Sequence, residues 1–180
     1  METIKGTAYN APVVMRADRR TEFERAVRGE LAVLARVARR MVRSPEEAED
    51  LVQQTLMRAY GAWTRFDGQH LRSWLIRILR NENLMRLRTS NRMELTELHE
   101  DSAVDDGFWA EVVWRDHADR ILDELDRLPL EFRMTVVLCD VEQMSYEEAA
   151  QILEIPIGTV RSRLSRGRAM IRARLTERKR

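Results

Sequence analysis

The stretch from Ser145 to Leu175, SYEEAAQILEIPIGTVRSRLSRGRAMIRARL, restricts the fold more than any other part of the chain. Ser145 followed three residues later by Glu148 is a capping box, in which each side chain satisfies an otherwise orphaned backbone N–H. It predicts a short helix, SYEEAAQIL. Glu154-Ile155-Pro156 reads as a tight turn, and a second, longer helix follows. There Val160, Leu164, Ile171 and Leu175 recur at helical spacing and give a buried stripe. Arg161, Ser162, Ser165 and Arg166 project elsewhere, near the N-terminal half of the helix. A short capped helix, a tight turn and a longer basic helix have the shape of a helix-turn-helix.

An arginine comb on an apolar spine fits a solvated tail, a membrane-surface helix or a helix that reads DNA. The capped partner helix and the turn favour the last. A recognition helix needs apolar anchoring behind and hydrogen-bond donors toward the groove. Arginine can bond guanine O6 and N7 together or clamp a phosphate, and a helix N-terminus itself favours phosphate. Thr159, Arg161, Ser162, Ser165, Arg166 and Arg168 are therefore the candidate DNA contacts of this helix. The net charge of +1 hides a strong segregation that supports different partners for different parts. Residues 157–180 hold nine basic residues against one acidic, residues 94–126 hold two against twelve, and residues 72–92 hold six against one. The excess of Arg (29) over Lys (2) carries little weight, because genomic base composition alone can produce it.

The rest of the chain also reads as helix. Only 7 Gly and 4 Pro are present among 180 residues, and no convincing strand pattern appears. Phe23, Val27, Leu31, Leu34, Ala38 and Met41 keep the spacing of one helix. Ser44, Pro45 and Glu47 then start another through a cap and a capping box, with Leu51, Thr55 or Leu56, Ala59 and Trp63 inward. After a break at Gly68, Leu71, Trp74, Leu75, Ile78 and Leu79 form the stripe of a third. Residues 93–106 are acidic and aperiodic, a linker. A further helix starts near Gly107 or Phe108, carries Val112, Ile121, Leu122, Leu125 and Leu128, and ends at Pro129. Residues 131–141, EFRMTVVLCDV, read as a short helix. The predicted architecture is all-α: a flexible tail over residues 1–17, a helical domain over 18–92, the linker over 93–106, and a helix-turn-helix domain over 107–180.

Two further faces carry chemistry. Asp50, Gln53, Gln54 and Arg58 step by three and four along one side of a helix whose other side is apolar, and this suits a protein partner as well as plain solvation. Arg72, Arg77, Arg80, Asn81 and Asn83, with Arg86 and Arg88, surround the apolar stripe of the next helix. Arg and Asn beside aromatics suit single-stranded or distorted DNA, whereas Trp63 and Trp74 fit core packing.

The order AEDLVQQTLMRAYGAWTRF, LRSWLIRILRNENLMRLR and LPLEFRMTVVLCDVEQMSYEEAAQILEIPIGTVRSRLSRGRAMIRARL closely resembles the extracytoplasmic-function sigma factors of bacteria over residues 23–175. The resemblance implies a first domain that docks on the clamp helices of RNA polymerase core through Asp50, Gln53, Gln54 and Arg58. It implies that the loop with Phe66 and His70, together with Arg72, Arg77, Arg80, Asn81 and Asn83, engages the melted −10 element. The recognition helix would enter the −35 major groove, and the acidic linker would run toward the RNA exit path. Function follows as promoter-specific initiation in a stress or environmental response, with polymerase core, promoter DNA and an anti-sigma factor as partners.

Two departures stand out. The loop FDGQHLRSW is somewhat shorter than the family's usual run, so base preference does not carry over. Glu154 stands where many relatives have Gly; a left-handed conformation there would cost glutamate about 1 kcal/mol. A stand-alone helix-turn-helix regulator is the competing reading, and it would need a dimer interface or a receiver domain. An enzyme is disfavoured, because no phosphate loop, HExxH or nucleophile motif is present. His70, His99 and His117 are scattered, so no metal or cofactor is expected. Cys139 is the lone cysteine and reads as core. With no apolar run of spanning length, the reading is a cytoplasmic chain without membrane insertion.

Overall fold

A computed structural model of the chain describes residues 12–90 and 114–177, and every regular element among them is helical. The first unit comprises α1 (Pro12–Val27), α2 (Leu31–Met41), α3 (Pro45–Ala62) and α4 (Leu71–Thr89). The second comprises α5 (Trp114–Asp126), α6 (Leu130–Val136), α7 (Tyr146–Leu153) and α8 (Ile157–Glu177). The acidic linker and the helix start near Gly107 lie outside the described residues, as do His99 and Val112.

Local chemistry sets the helix starts. The Ser44 hydroxyl accepts from the Glu47 N–H at 3.2 Å, while the Glu47 carboxylate reaches one residue further back to the Arg43 N–H at 3.1 Å. The box at Ser145 closes fully: its hydroxyl accepts from the Glu148 N–H at 3.1 Å, and the Glu148 carboxylate accepts from the Ser145 N–H at 3.0 Å. Two expectations need correction. The stripe from Phe23 to Met41 belongs to two helices, separated by a tight turn at Arg28–Glu30, so Leu31 comes out 39% exposed. Helix α1 begins at Pro12, inside the segment read as a flexible tail.

The core of the first unit takes Val33, Leu34, Val37, Ala38 and Met41 from α2, and Leu51 and Ala59 from α3. Thr55 rather than Leu56 is fully buried there. Its hydroxyl donates to the Leu51 carbonyl at 2.7 Å, which lets a polar residue occupy a core position. Leu75, Ile76 and Leu79 of α4 complete the core, each with no exposed surface. A fully buried side chain of this size contributes about 1.5–3 kcal/mol. Phe23, Tyr60, Trp63, Phe66 and Trp74 add an aromatic cluster with centroid separations from 4.7 to 6.2 Å.

In the second unit, α6 widens at its end instead of continuing as a regular helix. The Glu142 N–H donates to the Val137 carbonyl five residues back at 2.9 Å, one residue more than an α-helical bond spans, and the Met144 N–H reaches the Leu138 carbonyl six residues back at 3.0 Å. Cys139 sits inside this wide turn, 8% exposed, and burial pushes its thiol pKa up to about 12. Helix α8 lies against α6 so closely that a Cβ on Gly167 would stand 2.7 Å from Val136 Cγ2.

The two units meet along two seams, α4 against α7 and α2 against α6, and one cluster of buried apolar residues runs through both. The sequence suggests two modest separate cores; the fold joins them.

Candidate nucleic-acid interface

The helix-turn-helix forms because α7 ends at Leu153 and Glu154 turns the chain in a left-handed conformation, φ 56° and ψ 45°. The Glu154 N–H and the Ile155 N–H both donate to the Ala150 carbonyl, satisfying the last turn of α7. The Glu154 carboxylate is held by Arg80 Nη1 at 3.1 Å, a contact no glycine could make. Buried Val160, Leu164 and Ile171 anchor α8, and Leu175 is half-buried.

That anchoring sorts the candidate residues of α8 by depth. Arg161 is exposed, with its guanidinium carbon 6.0 Å from the centre of the Tyr146 ring, within cation–π range. Thr159, Ser162, Ser165 and Arg166 are half-buried around it, and the Ser162 hydroxyl donates to the Thr159 carbonyl at 3.1 Å. Arg163 is half-buried, and burial pushes its guanidinium pKa down against the opposing pull of Glu131. Arg168 is a correction. It is 8% exposed, and its Nη2 and Nε donate to the Asp140 carboxylate at 2.8 and 3.2 Å. Its donors are turned into the protein, away from any groove.

On α3, Asp50, Gln53 and Gln54 are exposed on one stripe. Arg58 is exposed too, with Nε 3.1 Å from Glu82 of α4. The same stripe carries Met57, 75% exposed, which the sequence reading passed over. Its spacing of three and four residues from Gln54 and Gln53 was the available signal. An exposed large apolar side chain ringed by polar ones is the pattern of an interface anchor.

The loop between α3 and α4 is shaped by its own residues. The Asp67 carboxylate accepts from the Gln69 N–H at 2.9 Å, Gly68 has φ 81°, and His70 is held left-handed at φ 50°. The His70 side chain is exposed. Phe66 is half-buried, stacked on Trp63 at 5.2 Å and packed on Trp74 at 4.7 Å. On α4, Arg77 and Asn81 are exposed. Arg72 pairs with Glu30 at 2.7 Å, and Arg80 donates to Asn81 as well as to Glu154. Asn83 is the second correction: it is 4% exposed, on the inner side of α4, because its spacing from Leu79 and Ile76 follows the apolar stripe.

No group of three or more His, Cys, Asp or Glu among the described residues is placed to hold a metal ion, and no described helix is long and apolar enough to cross a membrane.

Comparison with known proteins places both units. Residues 26–93 match the Sigma-70 region 2 family and residues 118–171 match Sigma-70 region 4. The chain is 38% identical over 161 residues to the RNA polymerase sigma-E factor of Streptomyces avermitilis, covering 87% of each protein. It is 38% identical over 144 residues to the ECF RNA polymerase sigma factor SigE of Mycolicibacterium smegmatis, spanning 76% of this chain and 55% of that longer relative. Among solved structures, the sigma factor RpoE of Bartonella quintana, in complex with the anti-sigma factor NepR, superposes with a TM-score of 0.67 at 30% identity. The match covers 87% of this chain and 98% of that one.

Proposed function

This chain belongs to the extracytoplasmic-function sigma factors of bacterial RNA polymerase, and from that premise we propose how its faces divide the work of starting transcription. The α3 stripe of Asp50, Gln53, Gln54 and Arg58, with Met57 at its centre, docks on polymerase core. The loop with Phe66 and His70, and the outer face of α4 with Arg72, Arg77, Arg80 and Asn81, receives the melted −10 strand. Helix α8 enters the −35 major groove with Thr159, Arg161, Ser162, Ser165 and Arg166. Residues 18–92 and 107–180 thus act as two domains joined by the acidic linker of residues 93–106.

The observation that carries this reading is the helix-turn-helix itself: a fully capped α7, a left-handed turn, and an α8 anchored by Val160 and Leu164 with Arg161 outward. Arg161 reads a base edge and the half-buried hydroxyls bond phosphate. Each domain alone holds DNA weakly; mounted together on polymerase their avidity rises by roughly 10² to 10⁴. The chain performs no chemistry of its own, and it works in the cytoplasm, where polymerase is. Its regulation involves an anti-sigma protein, as the Bartonella quintana complex has one.

In vitro transcription with purified core polymerase, followed by start-site mapping, tests the whole. New start sites sharing a −10 and −35 sequence are expected. Failure of core to capture the chain, or no new start sites in its presence, would overturn the reading, and capture of the chain as a DNA-bound dimer without polymerase would favour a stand-alone regulator.

A further inference from the structure

Helix α4 carries its outer face well beyond the residues assigned above to the −10 strand. Arg77, Asn81, Met85 and Arg88 are all exposed and follow one another at steps of four, four and three residues. They form one strip on the side of α4 opposite Leu75, Leu79 and Asn83. The strip is basic: residues 72–92 hold six basic residues against one acidic, and that one, Glu82, pairs with Arg58 at 3.1 Å. Several arginines of the first unit are engaged within the protein. Arg36 donates to Glu142 through Nε at 3.0 Å and Nη2 at 2.7 Å, Arg72 to Glu30 at 2.7 Å, Arg80 to Glu154 at 3.1 Å and Arg86 to the Glu47 carbonyl at 3.1 Å. Arg77 and Arg88, by contrast, make no ion pair or hydrogen bond with any described residue.

The chemistry of the strip changes along its length. A strand drawn out of the double helix is held by stacking its bases on aromatic side chains. The aromatic residues of α4 end at Trp74, and residues 75–90 contain no Phe, Tyr or Trp. Met85 has no ring to stack. It is 50% exposed, second only to Met57 among the exposed large apolar side chains of the described residues. A flexible thioether chain of this kind fits the C5-methyl group that thymine presents in the major groove, which is wide enough to admit a helix. Arg88, one turn further on, suits the phosphate beside it. The Thr89 and Ser90 hydroxyls donate back to the Met85 and Leu87 carbonyls at 3.0 and 3.2 Å, so Met85 and Arg88 are the side-chain groups this end of the strip offers. From Asn81 to Arg88 the helix rises about 10 Å, the length of about three stacked base pairs. The sequence continues from this end of α4 into the linker and the unit assigned to the −35 element, which lies upstream. We propose that the C-terminal half of α4 reads the base pairs immediately upstream of the −10 element while they are still paired. Met85 meets a thymine methyl in the major groove and Arg88 clamps a phosphate, which gives the promoter a third read position between −10 and −35. The proposal rests on the reading of α4 as the −10 surface.

The test uses the full chain on purified core polymerase, with templates built from one mapped promoter. Each of the three base pairs upstream of its −10 element is replaced in turn by the other three. The parent chain is expected to initiate about fourfold better with thymine at one of these positions, the size of one buried methyl group. Met85→Ala is expected to erase that preference and Met85→Leu to keep most of it, both matching the parent chain on templates without thymine there. Arg88→Ala is expected to lower initiation on all these templates alike and to reduce the slope of promoter affinity against salt by about one unit. Capture of core polymerase, measured separately, is expected to be equal for all four chains. No preference in the parent chain, or one that survives Met85→Ala, would overturn the base contact. Unchanged salt dependence in Arg88→Ala would overturn the phosphate clamp. Weaker capture of core by Met85→Ala would overturn the proposal as a whole, because the strip would then face polymerase. Each of these results, with the parent chain still initiating from its −10 and −35 sequences, leaves the sigma-factor reading standing. Absence of any initiation by the parent chain would remove that reading and the proposal with it.

Discussion

Arg168 and Asp140 face each other inside the second unit, with Nη2 to Oδ1 at 2.8 Å and side chains only 10% and 5% exposed. Breaking such a pair from one side leaves a buried charge with nothing opposite. Arg168→Ala is therefore expected to cost about 3–5 kcal/mol of unfolding free energy, measured by urea denaturation. Arg168→Met combined with Asp140→Leu should recover most of that loss. A stable Arg168→Ala protein that fails only at one promoter base would return Arg168 to the DNA-contact set.

Arg161 should behave in the opposite way. It is exposed and leans on Tyr146, so Arg161→Ala is expected to change stability by less than about 0.5 kcal/mol. On promoters it should cost about 1–3 kcal/mol at one base position of the −35 element. Competition transcription on a set of single-base promoter variants checks this. An equal loss on every variant would mean a phosphate contact instead.

The contrast between these two arginines shows where sequence reasoning stops. They are seven residues apart, two helical turns, so periodicity puts both on nearly the same face. What separates them is the level along α8: the wide turn at Val137–Val141 reaches Arg168 and not Arg161. Bonds that decide that turn are long-period backbone bonds with no residue signature. Local features were legible, because their physics is local: the Ser145–Glu148 box, the apolar spine of α8, the polar stripe on α3. Thr55 and Leu56 were indistinguishable until the hydroxyl was seen bonded to Leu51. Asn83 was read by its side-chain chemistry when its position on the stripe of Ile76 and Leu79 was the better guide. The seam between the units, with Arg36 on Glu142, is set by packing between distant segments and left no mark on the sequence pattern.

Glu154 offers a two-sided prediction. Its φ of 56° costs a non-glycine residue about 1 kcal/mol or somewhat more. Glu154→Gly should relieve that strain within the turn, while Glu154→Gln keeps it; both lose the charge that meets Arg80. Thermal unfolding of the two variants side by side should place the glycine variant higher by about 1 kcal/mol. Equal stabilities would mean the turn does not hold glutamate in this conformation at a cost.

Gly167 is fixed by close approach and not by backbone freedom. A methyl group there would meet Val136 Cγ2 at 2.7 Å, with Phe132 atoms at 3.6 Å. Gly167→Ala is expected to destabilise by about 1–3 kcal/mol, despite the gain in helix propensity. Adding Val136→Ala should make room and restore part of the loss. Chemical denaturation of the single and double variants decides it; additive losses would show that the two residues do not touch.

Cys139 makes the alkaline limit of stability testable. Burial in the wide turn pushes its thiol from an ordinary 9.0 to about 12, so the folded chain keeps the proton where the unfolded chain releases it. The sign follows: the unfolded state binds fewer protons between about pH 9 and 12, and stability falls as pH rises through that range. Below pH 9 both states are protonated and the thiol has no effect. The slope approaches about 1.4 kcal/mol per pH unit at its steepest. Denaturation at pH 8 and pH 10.5 should show a larger loss for the parent chain than for Cys139→Ala, whose cavity cost is the same at both pH values. Dithionitrobenzoate should label the native thiol only as fast as the protein opens. Identical pH dependence in the two chains would mean that Cys139 ionises as easily folded as unfolded, and that the wide turn admits solvent.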